Sequence, residues 1–289
     1  MESIQYARPT TVPEAVKSLA AAGGGARVLA GGTDLLVQLR LGTRTPRVIV
    51  DVKGIAELRA IEVSAAGIQI GAAVTGSEAG EHAEIVRQWP GVVEAMHLIG
   101  STQIQGRASL GGNLCNASPA ADSVPALIAA GARCTIAGPN GRRIANVEDV
   151  VLAPGKTSLT ADEFIVNFLL PTRQAHSGDA YLRFIPRTEM DIAVVGAAVS
   201  LVLDASGRCT AARLALGAVA PRPLLVAAGS AALVGTLVDD AALANLAAAA
   251  SAACTPIDDK RGTIEFRTRV AGVLARRAAS IALQRARGI

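Results

Sequence analysis

Two short stretches of the chain carry the residue types that could hold or transform a ligand. The first, LAGGTDLL from Leu29 to Leu36, sets Gly31 and Gly32 between a strand-like run and a helical one. Backbone N–H groups left free at such a junction, with the positive end of the helix behind them, suit a pyrophosphate, and glycine lets a phosphate approach without a Cβ in its way. The second, RASLGGNLCNASPAAD from Arg107 to Asp122, repeats the pair at Gly111 and Gly112 and surrounds it with Ser109, Asn113, Asn116 and Ser118. Asp122 would repel phosphate, so its natural partners are hydroxyl donors such as a ribityl chain or a ribose. Composition alone leaves two readings level: a ligand loop, or an ordered surface loop in which Asp122 caps the helix that begins near Ser123. The first stretch taken alone is weak too, because most Gly-Gly pairs at strand ends are only turns and Asp34 suits the first turn of any helix.

Other chemistry finds less support. APGKTS, Ala153 to Ser158, contains the Gly-Lys-Thr of a P-loop but has Val150 where that motif needs a glycine, so it reads as a turn before a strand. GGGARV lacks the third glycine of the Rossmann fingerprint. His82, His97 and His176 have no cysteine, aspartate or second histidine at metal-ligand spacing and read as surface or packing residues. Cys115, Cys134, Cys209 and Cys254 stand far apart with no C-x-x-C, which argues against a disulfide framework, a zinc site or an iron–sulfur cluster in this chain. No nucleophilic or acid–base constellation emerges. The expectation is a cofactor holder with no catalytic triad and no metal of its own.

The elements that must position these stretches follow from pattern. Of 289 residues, 51% are hydrophobic and 18% charged, enough to bury a large core in two or three subdomains. Only 2% are aromatic, which with scattered arginines makes nucleic acid a poor partner despite a net charge of +4. The arginines that do cluster, in RTRVAGVLARRAASIALQRARGI, suit a solvated helix face or docking on an acidic subunit. MESIQYARPT lacks a secretory pattern, and the longest apolar run, Ile192 to Leu203, falls short of the roughly 20 residues of a spanning helix. A soluble, cytoplasmic protein with no membrane span is expected.

Thr11 to Gly23 reads as a helix, with a capping box at Thr11 and Glu14, Pro13 in the first turn, an apolar face of Val16, Leu19 and Ala20, and a stop at Gly23 to Gly25. RVLA is a strand, Leu35, Leu36 and Leu39 mark a helix ending at Gly42, and RVIVDV is a second strand. A second block starts near Ala60. It holds the strand GIQIGA, a helical stretch from Gly80 to Ile99, the Gly111 loop, an alanine-rich helix from Ser123 to Ala130, a hairpin signalled by Asn140-Gly141, and the strand EFIVNFLLP. Polar TRQAHSGD marks a boundary, after which long strands followed by two alanine-rich helices suggest an α+β domain with helices on one face of an antiparallel sheet. The chain is expected to divide into 1–56, 57–175 and 176–289.

LAGGTDLLVQLR and ASLGGNLCNASPAADSVPAL, in this order and at this separation, resemble the FAD-binding medium subunit of the molybdenum hydroxylases, the family of carbon monoxide dehydrogenase, 4-hydroxybenzoyl-CoA reductase and the flavin domain of xanthine dehydrogenase. YARPTTVPEAVKSL, IQIGAAVT, YLRFIPRTEMDIAVVGAAVSL and PIDDKRGTIEFRTRVAGVLARRA extend the resemblance over nearly the whole chain. It implies an α+β protein: a vanillyl-alcohol-oxidase-like, PCMH-type FAD-binding fold of two subdomains, then a C-terminal antiparallel sheet with helices. It also implies cofactor contacts from Leu29, Ala30, Gly31, Gly32, Thr33, Asp34, Leu35 and Leu36 on the pyrophosphate. Ser109, Gly111, Gly112, Asn113, Asn116 and Asp122 would hold the pyrophosphate and ribityl region, with Ile165 and Arg183 beside the flavin.

The partners implied are a large subunit with a molybdopterin-type molybdenum cofactor, which oxidises the substrate, and a small subunit with two [2Fe-2S] clusters, which relays electrons to FAD. The assembly would be a dimer of heterotrimers, a heterohexamer. Two departures stand out: Ile99 is aliphatic where the xanthine dehydrogenase branch has an aromatic residue near the ring, and the cysteine cluster of the 4-hydroxybenzoyl-CoA reductase subunit is missing. Two rival readings are a stand-alone flavin oxidase of the same fold acting on a small alcohol, and an assembly protein that has lost the cofactor.

Overall fold

The computed structural model describes residues 4–288, so the part of the N-terminal reading that concerns Met1 to Ser3 lies outside it. The first unit comprises β1 (Gln5–Ala7), α1 (Val12–Ala21), β2 (Ala26–Leu29), α2 (Leu35–Arg40) and β3 (Val48–Asp51). Its strands form a parallel sheet in the order β1-β3-β2, with α2 as the crossover from β2 to β3. The capping box of α1 is present as expected: Thr11 Oγ1 accepts the Glu14 N–H, and the Glu14 carboxylate accepts the Thr11 N–H. The buried stripe is Val12, Ala15 and Leu19, not Val16, Leu19 and Ala20; Val16 is half-buried and Ala20 exposed. A helix starting at Val12 turns positions three and seven residues on toward the sheet, and those are Ala15 and Leu19.

The second unit holds β4 (Ile61–Ser64), β5 (Gly67–Gly71), α3 (Gly76–Glu81), α4 (Ala83–Gln88), α5 (Pro90–His97), α6 (Thr102–Gln105), α7 (Leu110–Cys115), α8 (Ser123–Ala129), β6 (Arg133–Gly138), β7 (Gly141–Asn146), β8 (Val151–Ala153), β9 (Lys156–Thr157) and β10 (Phe164–Pro171). Five of its strands make an antiparallel sheet in the order β4-β5-β10-β6-β7. The single helix expected from Gly80 to Ile99 is instead split among α3, α4 and α5, with extended backbone at His82 (ψ 109°) and a break at Trp89 (ψ 57°). Pro90 explains the second break, since its ring keeps the preceding residue out of the helical region. APGKTS is a hairpin turn between β8 and β9, with Gly155 at φ +69°. The β6–β7 turn is Pro139-Asn140, one residue earlier than Asn140-Gly141, because Gly138 and Gly141 already pair.

The third unit comprises β11 (Ser177–Phe184), β12 (Val195–Leu203), β13 (Cys209–Gly217), β14 (Leu224–Leu225), α9 (Ala227–Leu233), α10 (Asp240–Ala252) and α11 (Ile264–Ala286). Its sheet is antiparallel in strand order, and three helices follow it where two were expected. Alternation along the strands explains the continuous apolar run of β12. Val195, Ala197, Val199 and Leu201 face the core made with α9, α10 and α11, whereas Ala198, Ala215 and Tyr181 face the core of the second unit, where α8 packs. The third sheet is thus buried on both faces, and the second and third units share a wall.

Asp179 fastens that wall. It is 4% exposed, accepts the Gly91 N–H at the start of α5 (2.9 Å) and pairs with Arg173 (2.7 Å), whose guanidinium lies over the Trp89 ring. Burial pushes its carboxyl up, opposed by Arg173. Beside it Glu94 accepts the Tyr181 N–H at 3.0 Å and pairs with Arg285 of α11.

Candidate functional site

β2 delivers the chain into Ala30-Gly31-Gly32-Thr33-Asp34 and then α2. Among the described residues, the N–H groups of Thr33, Asp34 and Leu35 find no acceptor in the protein. Asp34 takes the N-cap position of α2 without a capping bond and is exposed, so it leaves these amides open. Gly32 stands at φ +80°, a left-handed conformation that a side chain would strain. Leu29 is buried beneath the turn, while Leu36 is 51% exposed beyond it.

The second stretch is brought against the first by backbone contact. A Cβ on Gly31 would overlap the Arg107 carbonyl oxygen and stand 2.6 Å from its carbonyl carbon, so glycine is what lets the two turns touch. Gly76 N–H donates to Ala108 O (2.8 Å) and Gly111 N–H to Ala72 O (3.1 Å), hanging the second stretch on the connection after β5. Gly111 is buried there, with room for no Cβ beside Ala72 O, whereas Gly112 is half-buried and meets only Ser109 Oγ. Ser109 is 2% exposed and its hydroxyl accepts the Gly112 N–H (3.2 Å), so this side chain caps α7. Asn116 Oδ1 accepts from Gln38 Nε2 (3.1 Å), tying the end of α7 to α2.

Asn113 and Asp122 exchange the roles that local rules would give them. Asn113 Oδ1 accepts both the N–H (3.2 Å) and the hydroxyl (2.6 Å) of Ser123, and so caps α8 from ten residues back. Asp122, at the N-cap position itself, makes no capping bond. It is 7% exposed, and its two oxygens accept from the Tyr181 hydroxyl (2.8 Å) and from Arg183 Nη1 (2.8 Å). Burial pushes the Asp122 carboxyl up to about 6, against the opposing pull of Arg183 and of the Tyr181 hydrogen bond. The Arg183 side chain is 3% exposed, yet its Nε has no partner, an unusual state for a buried donor.

Ile165 lies elsewhere. It is 4% exposed on β10, in the same apolar core as Leu110 and Leu114 of α7, and supports that helix. Two clefts line the surface between the turns and Arg183. One of about 280 Å³ is bounded by Gly31, Lys53, Arg59, Ser77 and Arg107; the other, of about 550 Å³, by Ser77, His97, Thr102, Gln105 and Arg183. They share Ser77 and together form a groove from the Gly31 turn, where Lys53 and Arg59 are paired with Asp51 and Glu78, to Arg183 of the buried Arg–Asp pair. That donor set fits a dinucleotide: phosphates at the first end, hydroxyls and an electron-rich ring at the second. Among the described residues no group of three His, Cys, Asp or Glu side chains is placed to hold a metal ion, and no helix is long and apolar enough to cross a membrane.

Reading the residues singly missed Tyr181, Gln38 and Arg107. Tyr181 alone carried a signal: it stands two residues before Arg183 on a strand, which puts both polar tips on one face.

Residues 2–173 match the model of the FAD binding domain in molybdopterin dehydrogenase, and residues 180–282 that of the CO dehydrogenase flavoprotein C-terminal domain. The chain is 33% identical over 290 residues to the carbon monoxide dehydrogenase medium chain of Afipia carboxidovorans, covering 99% of this chain and 98% of that one. It is 36% identical over 221 residues to the putative xanthine dehydrogenase FAD-binding subunit of Escherichia coli K12, covering 76% and 75%. Among solved structures, a chain of Cu,Mo-CO dehydrogenase in its cyanide-inactivated form superposes with a TM-score of 0.94 at 32% identity, over 98% of both chains. A chain of quinoline 2-oxidoreductase from Pseudomonas putida 86 does so at 0.90 and 29%, again over 98% of both. A two-part FAD-binding domain followed by this C-terminal domain, matched end to end, makes the chain an oxidoreductase subunit that belongs to the family of FAD-binding medium subunits of the molybdenum hydroxylases.

Proposed function

We propose that this chain holds FAD along the groove and so serves electron transfer within a three-component molybdenum hydroxylase. Electrons would arrive from two [2Fe-2S] clusters of a small partner and leave to an external acceptor. A large partner with a molybdopterin-type cofactor would meanwhile oxidise or hydroxylate a small aromatic, N-heterocyclic, aldehyde or CO substrate. The relatives that support this reading include subunits named for carbon monoxide, xanthine, nicotinate and caffeine dehydrogenases. Full-length likeness to medium chains gives no support to a stand-alone oxidase. A dimer of heterotrimers in the cytoplasm, and the division into units 1–56, 57–175 and 176–289, belong to the same proposal; the three main sheets each draw their strands from one of those ranges.

When bound, FAD supplies reversible one- and two-electron redox chemistry, and the protein contributes position and charge. Within the Leu29 to Leu36 turn the open amides of Thr33, Asp34 and Leu35 would bind the pyrophosphate, and Gly111 and Gly112, whose N–H groups are committed to Ala72 O and Ser109 Oγ, would keep the second turn free of side chains beside it. Asp122 would accept from ribityl or ribose hydroxyls with its remaining lone pairs. Arg183 would hold positive charge where the reduced ring gathers negative charge. Ser109, Asn113 and Asn116 would act through the turns they brace, and Ile165 through the core beneath α7.

The observation that carries the proposal is the closure of Gly31 on Arg107 in a groove that ends at an unpartnered buried Arg183 Nε. The test is an absorbance spectrum and metal analysis of the chain purified alone and after affinity capture from its native extract. Flavin on the single chain, with molybdenum and iron appearing only with two co-purifying subunits, is the expected result. Flavin without partners and oxygen-dependent turnover of an alcohol would overturn it.

A further inference from the structure

Tyr181 is 2% exposed, and its hydroxyl is its one polar group, committed to Asp122 Oδ1. A tyrosine there is not needed to fill volume alone, because the neighbouring strand has been cut back to admit the hydroxyl. A Cβ on Gly196 of β12 would stand 2.5 Å from Tyr181 Oη. Gly196 is also the direct partner of Arg183 across the β11–β12 pair. The strand pair therefore presents a hydroxyl and a guanidinium side by side, each taking one oxygen of the same carboxylate. A carboxylate offers about four lone-pair sites, so two remain for a ligand, in a plane that the two donors fix. Arg183, held by Nη1 alone, keeps Nε free.

We infer that Tyr181 is a positioning residue of the cofactor site: its hydroxyl fixes the Asp122 carboxylate, which fixes the Arg183 guanidinium for the flavin half of the dinucleotide. This rests on the reading that FAD occupies the groove. Burial and the adjacent carboxylate raise the Tyr181 phenol well above its ordinary range, which keeps it a donor. Without that donor, Asp122 would be free to rotate about its last torsion and would carry Arg183 with it. Phosphate binding at the open amides of Thr33 to Leu35 lies on another element and would be untouched.

The experiment uses the full chain stripped of flavin, with FAD and ADP as separate probes. Tyr181→Phe should weaken FAD binding ten-fold or more, as expected for losing a hydrogen bond to a charged group, and leave ADP binding unchanged. Unchanged FAD binding, or equal losses for FAD and ADP, would overturn the inference. Gly196→Ala provides a second route, since it displaces the hydroxyl without removing it. It should weaken FAD in the natural chain and have little effect in the Tyr181→Phe background; equal effects in both would also overturn the role. Asp122→Asn separates this inference from the reading beneath it. FAD bound as tightly as by the natural chain would defeat the site assignment, whereas weakening in Asp122→Asn but none in Tyr181→Phe would defeat only Tyr181.

Discussion

Gly31→Ala is the sharpest test of whether the two Gly-Gly turns form one seat. The added methyl would overlap the Arg107 carbonyl oxygen and lie 2.6 Å from its carbon and 3.2 Å from Ala108 N. Carbon atoms in contact sit about 3.5 Å apart, so the turns must part by roughly 1 Å. Neither can give way cheaply, because Leu29 is buried behind one, while Gly76 N–H and Gly111 N–H pin the other. Overpacking of this kind costs about 1–3 kcal/mol. If the turns need their present spacing only when the dinucleotide is bound, that energy appears in affinity, as a roughly 5- to 150-fold rise in the FAD dissociation constant. Flavin fluorescence on rebinding to the stripped chain reads it directly. Gly42→Ala is the control: at φ +68° with nothing within 4 Å it carries left-handed strain of about 1–2 kcal/mol and no clash, so it should lower stability and leave FAD affinity alone. FAD binding by Gly31→Ala within two-fold of the natural chain would refute the single-seat reasoning.

Asp122 and Asp179 give two further expectations. The Asp122 carboxyl is raised by burial from the ordinary 3.8 to about 6, so the folded state binds the proton more tightly than the unfolded. Its stabilising contribution is full below about pH 4 and is lost as pH rises through 6, a change on the order of 3 kcal/mol. Urea unfolding of the natural chain and Asp122→Asn at pH 4 and pH 7 should therefore show a difference that shifts against the natural chain at the higher pH; a constant difference would contradict this. Asp179→Ala strips a buried carboxylate from Arg173 and from the Gly91 N–H, a loss of about 3–5 kcal/mol for a broken buried pair. Limited proteolysis within residues 172–176 should accelerate at least ten-fold, and an unchanged cleavage rate would show that Asp179 does not fasten the shared wall.

What was legible in the sequence was mostly local. Thr11 and Glu14 announce the start of α1 because the capping bond spans three residues, and the hairpin at Pro139-Asn140 is announced by its own turn chemistry to within one residue. The Gly-Gly turns and Asp122 could be picked out by composition, and the first turn does meet the second stretch, with Gly31 against Arg107. What they do there was not legible. The reason for Gly31 is a carbonyl 76 residues away, and that for Gly196 is the hydroxyl of Tyr181. Asn113 displaces Asp122 as the cap of α8, a choice settled by Tyr181 and Arg183, which lie 59 and 61 residues further along the chain. The break at Trp89 was available from Pro90, and helical periodicity on both sides masked it.

The groove draws its walls from all three units: Gly31 follows a strand of the first, Ser77 and Thr102 lie in the second and Arg183 on the third. A ligand seated there binds the folded chain and not the unfolded one, so by mass action its concentration sets the fraction of chains that stay folded. In a growing cell, riboflavin supply would then act as a quality filter. Chains made when flavin is scarce would spend more time open to proteases, and a modest loss of stability is enough to change abundance several-fold. The amount of this subunit should follow the vitamin even where its message does not.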